Sequence, residues 1–165
     1  MTQRGTTGLV VTTPTEREIR IARNFDAPRT LVFDAWTKCE HLKRWFGRRG
    51  DEVTVCEIDL RPGGAWRLVS RLREGGEMGQ QGEYQEIERP SRLVQTELFE
   101  GPDFEPMGSG TLNTLLFEES SGTTTMTVTV LYDSKEARDG ALKTPMEEGM
   151  RETFDKLAEL VATLR

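Results

Sequence analysis

The chain has 165 residues, 35% of them hydrophobic and 30% charged, with a formal net charge of −6, one histidine and two cysteines. A domain of that length buries about 70% of the surface its unfolded form exposes, so one hydrophobic core is expected. No apolar run is long enough to cross a bilayer, and the acidic balance argues against nucleic acid or an anionic membrane surface as a partner.

The opening MTQRGTTGLVVTTPT lacks the basic and apolar regions of an export signal, so a cytoplasmic location is expected. Residues 1–14 carry no periodicity and read as a flexible arm, leaving 15–165 as a single domain. From Glu16 to Phe25 the order EREIRIARNF alternates polar and apolar, with Ile19, Ile21 and Phe25 on one side, as in a half-buried strand.

Residues 27–47, APRTLVFDAWTKCEHLKRWFG, place Trp36 and Trp45 nine positions apart in a helical pattern. In one straight helix that spacing rotates by about 900° and sends the two indoles to opposite sides. Thr37-Lys38-Cys39-Glu40 has the form of a capping box, which predicts a second short helix after a bend and lets both rings face a common interior. The first helix begins near Asp26-Ala27-Pro28 and the second ends at Gly47. Lys43, Arg44, Arg48 and Arg49 then read as a solvated face rather than a nucleic-acid site.

Six further extended runs follow, at 52–60, 64–73, 77–88, 92–100, 110–119 and 123–131. Pro62-Gly63-Gly64, Gly75-Gly76, Arg89-Pro90-Ser91 and Ser121-Gly122 supply turn chemistry between them, which predicts neighbouring antiparallel strands. GPDFEPMGSG at 101–110 is longer than a hairpin needs and reads as a mobile lid. Asp133 or Ser134 caps a helix through KEARDGALK, and Thr144-Pro145-Met146-Glu147 restarts it with a second capping box. Met146, Met150, Phe154, Leu157, Val161 and Leu164 then recur at steps of three or four, an amphipathic helix of about five turns. An antiparallel sheet with one apolar face needs a cover, and this helix carries the only long apolar stripe. Gly149 within it points to a close approach of backbone or ligand.

These stretches resemble the START-like (SRPBCC, birch-pollen-allergen-like) superfamily, and within it the activator of heat-shock-protein ATPase homologue-type branch. The matching segments are RNFDAPRTLVFDAWTKCEHLKRWFG at 23–47, IDLRPGGAWRLVSR at 58–71, GEYQEIERPSRLVQTE at 82–97 and SKEARDGALKTPMEEGMRETFDKLAELV at 134–161. The resemblance implies an α+β helix-grip fold: a seven-stranded curved antiparallel sheet wrapped around a long C-terminal helix, with two short helices between strands 1 and 2. It implies a deep cavity between the concave sheet face and the helix. Folds of this kind host lipid carriers, cyclases and chaperone stimulators, so function has to be argued from the site.

Catalytic chemistry is sparsely supplied. His41 reads as a surface residue, so no Ser-His-Asp or Cys-His nucleophile is evident. One histidine and two scattered cysteines do not make a zinc site, and Cys39 and Cys56 read as reduced structural thiols with no disulfide required. RPGGAW lies between strands and reads as a hairpin turn, not a phosphate loop. Proton transfer by Glu57, Asp59, Arg67 or Glu97 depends on register, because in strand 52–60 Cys56 and Ile58 face opposite to Glu57 and Asp59. The expected ligand-lining set is Trp36, Trp45, Trp66, Leu68, Thr96, Met107, Met146, Met150 and Phe154, with the indole N–H groups as polar donors.

The reading is therefore an apolar or aromatic small-molecule binder with no cofactor and no metal, a monomer or homodimer. The alternatives are a chaperone partner, which rests on the resemblance, and a cyclase or dehydratase that uses cavity carboxylates.

Overall fold

The computed structural model describes residues 8–165. Among these residues eight strands form one antiparallel sheet: β1 (Val10–Thr12), β2 (Glu18–Phe25), β3 (Glu52–Ile58), β4 (Ala65–Arg71), β5 (Glu77–Glu88), β6 (Arg92–Glu100), β7 (Pro106–Ser120) and β8 (Thr123–Tyr132). Their order across the sheet is β1-β2-β8-β7-β6-β5-β4-β3. Strands β3 to β8 are joined in sequence to their neighbours, as the short turns between them dictate, and β2 closes onto β8. Four helices among the described residues complete the α+β fold: α1 (Arg29–Thr37), α2 (Cys39–Trp45), α3 (Lys135–Leu142) and α4 (Met146–Leu164).

The sheet has one strand more than the seven expected. Val10, Val11 and Thr12, assigned to the arm, pair with Ala22, Ile21 and Arg20 and form an edge strand. Three residues show too little alternation to be read as a strand, and the pairing is decided by the partner. Residues 1–7 of the expected arm lie outside the described residues.

The lid expected at 101–110 is a loop over only half of its length. Strand β7 begins at Pro106, with Pro106 opposite Glu100 and Met107 opposite Phe99, so only 101–105 turn the chain. Gly108 and Gly110 take positive φ within this extension, beside a register shift between Glu97 and Phe99. The length that suggested a loop is taken up in part by an irregular β-ladder.

The two helices before β3 do bend apart, but the capping box does not form. Thr37 Oγ1 donates back to the Phe33 carbonyl at 3.2 Å, and Lys38 occupies the N-cap of α2 without a side-chain bond. At α4, Thr144 Oγ1 likewise donates to the Ala141 carbonyl, and Pro145 is the N-cap. In both places the hydroxyl serves the preceding turn, a local competition that the motif alone does not resolve. The cap at Ser134 forms as expected, accepting from the Ala137 amide at 3.0 Å.

The core lies between one sheet face and α4. Phe154, Leu157, Leu160 and Val161 of the helix are buried against Ile19, Ile21, Leu115, Phe117 and Val128 of the strands. The inward face of β2 also carries a cation: Arg23 is 5% exposed, donates to the Phe154 carbonyl at 3.1 Å and pairs with Asp155 at 2.8 Å. This fixes α4 axially against β2.

The cysteines differ from expectation. Cys39, at the start of α2, and Cys56, in β3, form a disulfide with Cα atoms 5.8 Å apart, across a sequence separation of 17. The spacing matches no motif because the bridge joins a helix to a strand that packs beside it.

Candidate functional site

Strand alternation decides which side chains reach the space under α4. On β4, Trp66, Leu68 and Ser70 point inward while Arg67 points out; on β6, Gln95 and Glu97 point inward while Thr96 and Leu98 point out. The inward set from β4 to β8, the indoles of α1 and α2, and one face of α4 enclose a cavity of about 550 Å³. Ligand pockets commonly measure about 300–1,000 Å³.

Seven of the nine expected residues line this cavity: Trp36, Trp45, Trp66, Leu68, Met146, Met150 and Phe154. Trp36 and Trp45 meet edge to face with ring centroids 4.9 Å apart, and Phe154 of α4 lies 6.2 Å and 6.4 Å from them. The bend between α1 and α2 therefore brings both rings to one wall.

Thr96 and Met107 do not line it. Thr96 lies on the outer face, where its hydroxyl accepts the Glu83 amide at 2.9 Å. Its position in an alternating strand excludes it, and an offset of one residue reverses the face. Met107 is 49% exposed, because it belongs to the β7 extension rather than to a lid folded over the opening.

The indoles do not offer their N–H groups to a ligand. Trp45 donates to the Ala35 carbonyl at 2.9 Å, Trp66 to the Thr96 carbonyl at 3.2 Å, and Trp36 faces Met126 Sδ at 3.2 Å. The tryptophans are apolar walls. Trp66 reaches its acceptor by lying across Gly82, where a Cβ would fall 2.6 Å from the indole nitrogen. Gly149, which lines the cavity, has no backbone packed close to it, since a Cβ there meets only the Arg48 side chain at 3.9 Å.

The polar content comes from residues that the sequence pattern did not single out, with one exception. Tyr84, Gln95 and Asn113 are direct partners across β5, β6 and β7, and Glu97 is two residues beyond Gln95 on the same face. Glu97 Oε1 accepts from Asn113 Nδ2 and Oε2 accepts from Gln80 Nε2, both at 3.1 Å. Thr111 Oγ1 donates to Asn113 Oδ1 at 2.9 Å, which orients that amide toward the carboxyl. Burial raises the Glu97 pKa above the ordinary carboxylate value, against the opposing pull of the two amides. Burial also raises Tyr84. Polar residues at alternate strand positions that ought to be apolar were the available signal.

Of the other expected carboxylates, Glu57 and Asp59 face outward, the latter bonded to Arg61 at 2.9 Å. Arg67 also faces outward and holds Glu100 at 2.8 Å. At the cavity mouth Arg48 is clamped by Asp51 and Glu74. Burial works to raise Asp51, but bonds from the Arg48 side chain and from the Arg73 and Arg48 amides outweigh it and hold its pKa low. The expected basic face is thus largely ion-paired at Arg48 and Arg49, the latter bonded to Glu159. Among the described residues no three metal-ligating side chains cluster, and no helix is long and apolar enough to cross a membrane.

The fold recurs in solved structures. A protein from Rhodobacter sphaeroides is 28% identical, with a TM-score of 0.86 over 94% of this chain and 98% of that one. A protein from Staphylococcus epidermidis is 27% identical, with a TM-score of 0.81 over 94% and 95% of the two chains. One from Nitrosomonas europaea, 24% identical with a TM-score of 0.80 over 92% and 97%, shares the fold. No curated protein matches the chain at a significant level. The family described as activator of Hsp90 ATPase homolog 1-like protein matches residues 26–162.

Proposed function

We propose that this chain, which belongs to the activator of Hsp90 ATPase homolog 1-like family, is a helix-grip module that binds an apolar or aromatic small molecule between its sheet and its C-terminal helix. The observation that carries the reading is the cavity of about 550 Å³ with Trp36, Trp45, Trp66 and Phe154 on its walls. Close-packed interiors leave few voids larger than a water molecule, so a space of this size in the centre of the fold is not a packing defect. Large rings that are held by hydrogen bonds to the protein give a ligand a rigid apolar surface at little entropic cost.

The experiment is a titration of the purified protein with a panel of lipids, flavonoids and polyketides, followed by tryptophan fluorescence and melting temperature. A bound ligand quenches or shifts the indole emission and raises the melting temperature by mass action. Absence of any shift across the panel overturns the reading.

A second reading is proton transfer, as in a cyclase or dehydratase, favoured by the raised pKa of Glu97 inside the cavity. Loss of turnover in Glu97→Gln, once a substrate is found, tests it. Regulation of a chaperone ATPase is supported by the family description alone. Co-purification and an ATPase assay with the host's chaperone test that idea, and it falls if there is neither binding nor a change in rate.

A further inference from the structure

Along the sheet the polar side chains of the cavity gather around one cross-strand row, with Ser70 of β4 apart from it. Tyr84, Gln95 and Asn113 form a straight cross-strand row, and Glu97 lies beside it on the same face. Tyr84 is 2% exposed and Gln95 8% exposed, yet neither side chain makes a hydrogen bond with another described residue. Leaving a buried hydroxyl and a buried amide unpartnered costs about 1–3 kcal/mol each, so both are groups that gain from a bound partner.

The charge around the row is informative. Among the described residues Arg48, at the mouth, is the only cationic side chain lining the cavity, and it is engaged by Asp51 and Glu74. An anionic end group at the row would be desolvated without a counter-charge, next to a carboxyl. The two oxygens of Glu97 are occupied by the Asn113 and Gln80 amides, and burial favours its neutral form, so an ammonium finds no ready partner there.

We infer that the row Tyr84–Gln95–Asn113, with Glu97 beside it, is the orienting end of the cavity and takes an uncharged ligand through a hydroxyl or carbonyl oxygen, while the ligand's apolar body lies among the tryptophans. This rests on the small-molecule reading above. Tyr84 donates to that oxygen, and the Gln95 amide supplies a donor and an acceptor beside it. A site built to hydrogen-bond an oxygen discriminates strongly against the analogue that lacks it.

Calorimetric titration of the full chain at pH 7 with naphthalene, 2-naphthol, 2-naphthoate and 2-naphthylmethylamine tests the assignment. The expected result is 2-naphthol binding at least tenfold more tightly than each of the other three. In Tyr84→Phe and Gln95→Leu the advantage over naphthalene shrinks, while naphthalene itself binds as before or more tightly. If a variant does not fold, the side-chain amide resonances of Gln95 in the wild-type protein decide: they move with 2-naphthol and stay in place with naphthalene. Equal affinity for naphthalene and 2-naphthol, tighter binding of either charged probe, or unmoved Gln95 resonances overturns the orienting row and leaves the cavity reading intact. Binding of none of the four overturns the row as well, and only a silent wider panel removes the cavity reading with it.

Discussion

Asn113 donates its side-chain amide to Glu97 across the β6–β7 ladder at 3.1 Å, and Gln80 donates to the other carboxyl oxygen from β5 at the same distance. Two neutral amides give a carboxylate less support than a cation does, and burial raises its pKa. The folded protein therefore holds the Glu97 proton more tightly than the unfolded chain. Stability from this group is present below the unfolded value of about 4.3 and is lost as pH rises through the raised folded value. Glu97→Gln removes that loss. Urea unfolding from pH 4 to pH 9 is expected to show the variant gaining on the wild type as pH rises, with the gap closing at the acid end; a gap independent of pH contradicts the raised pKa of Glu97.

The outer face contains the opposite case. Glu100 is 1% exposed and bonded to Arg67 at 2.8 Å and to Gln81 at 2.8 Å, and the Arg67 bonds hold its pKa low. Arg67→Ala leaves a buried carboxylate with one neutral donor. Because Arg67 itself is partly exposed, the cost is expected near the lower end of the range for breaking buried pairs, about 3 kcal/mol. Arg67→Met combined with Glu100→Leu recovers much of it in chemical denaturation.

Two glycines lining or flanking the cavity respond in opposite ways to alanine. At Gly82 a Cβ would lie 1.8 Å from the Thr96 carbonyl oxygen, so Gly82→Ala displaces backbone and is expected to cost about 3 kcal/mol, with loss of the Trp66 contact visible in indole fluorescence. At Gly149 the nearest atoms are 3.9 Å away in the flexible Arg48 side chain. Gly149→Ala is expected to stabilise α4 by about 1 kcal/mol in the same assay.

The bridge between Cys39 and Cys56 ties α2, which carries Trp45, to β3. Closing a loop of this length is worth about 3 kcal/mol, chiefly through the unfolded chain. The paired variant Cys39→Ser and Cys56→Ser, or reduction of the native protein, is expected to lower the denaturation midpoint accordingly. Thiol titration of the untreated, unfolded chain checks the premise, because a free-thiol signal from both residues contradicts the bridge.

How much of this was legible depends on whether the deciding contact is local. Alternation in EREIRIARNF, the three-and-four spacing from Met146 to Leu164, and the glycine and proline turns reported strands, helix and antiparallel order, since each arises from a side chain's position relative to its own backbone. The same periodicity brought Trp36 and Trp45 together once a break between two helices was recognised, although the Thr37 hydroxyl that suggested the break is spent on the turn before it.

Thr96, Met107, the cysteine pair and the polar row were settled by contacts between segments far apart in the chain. Thr96 faces away because strand register assigns every residue of β6 to a side, and one step changes that assignment. Met107 is in a strand because Phe99 pairs with it, and Val10–Thr12 is a strand because β2 accepts it. Tyr84, Gln95 and Asn113 each interrupt an apolar strand face in sequence, but they become one site only where three strands align. Local covalent geometry thus determined the longer elements of this protein, while pairing between distant strands added β1 and the start of β7 and decided which side chains enter the cavity, because a ladder's register is a property of two strands and not of either alone.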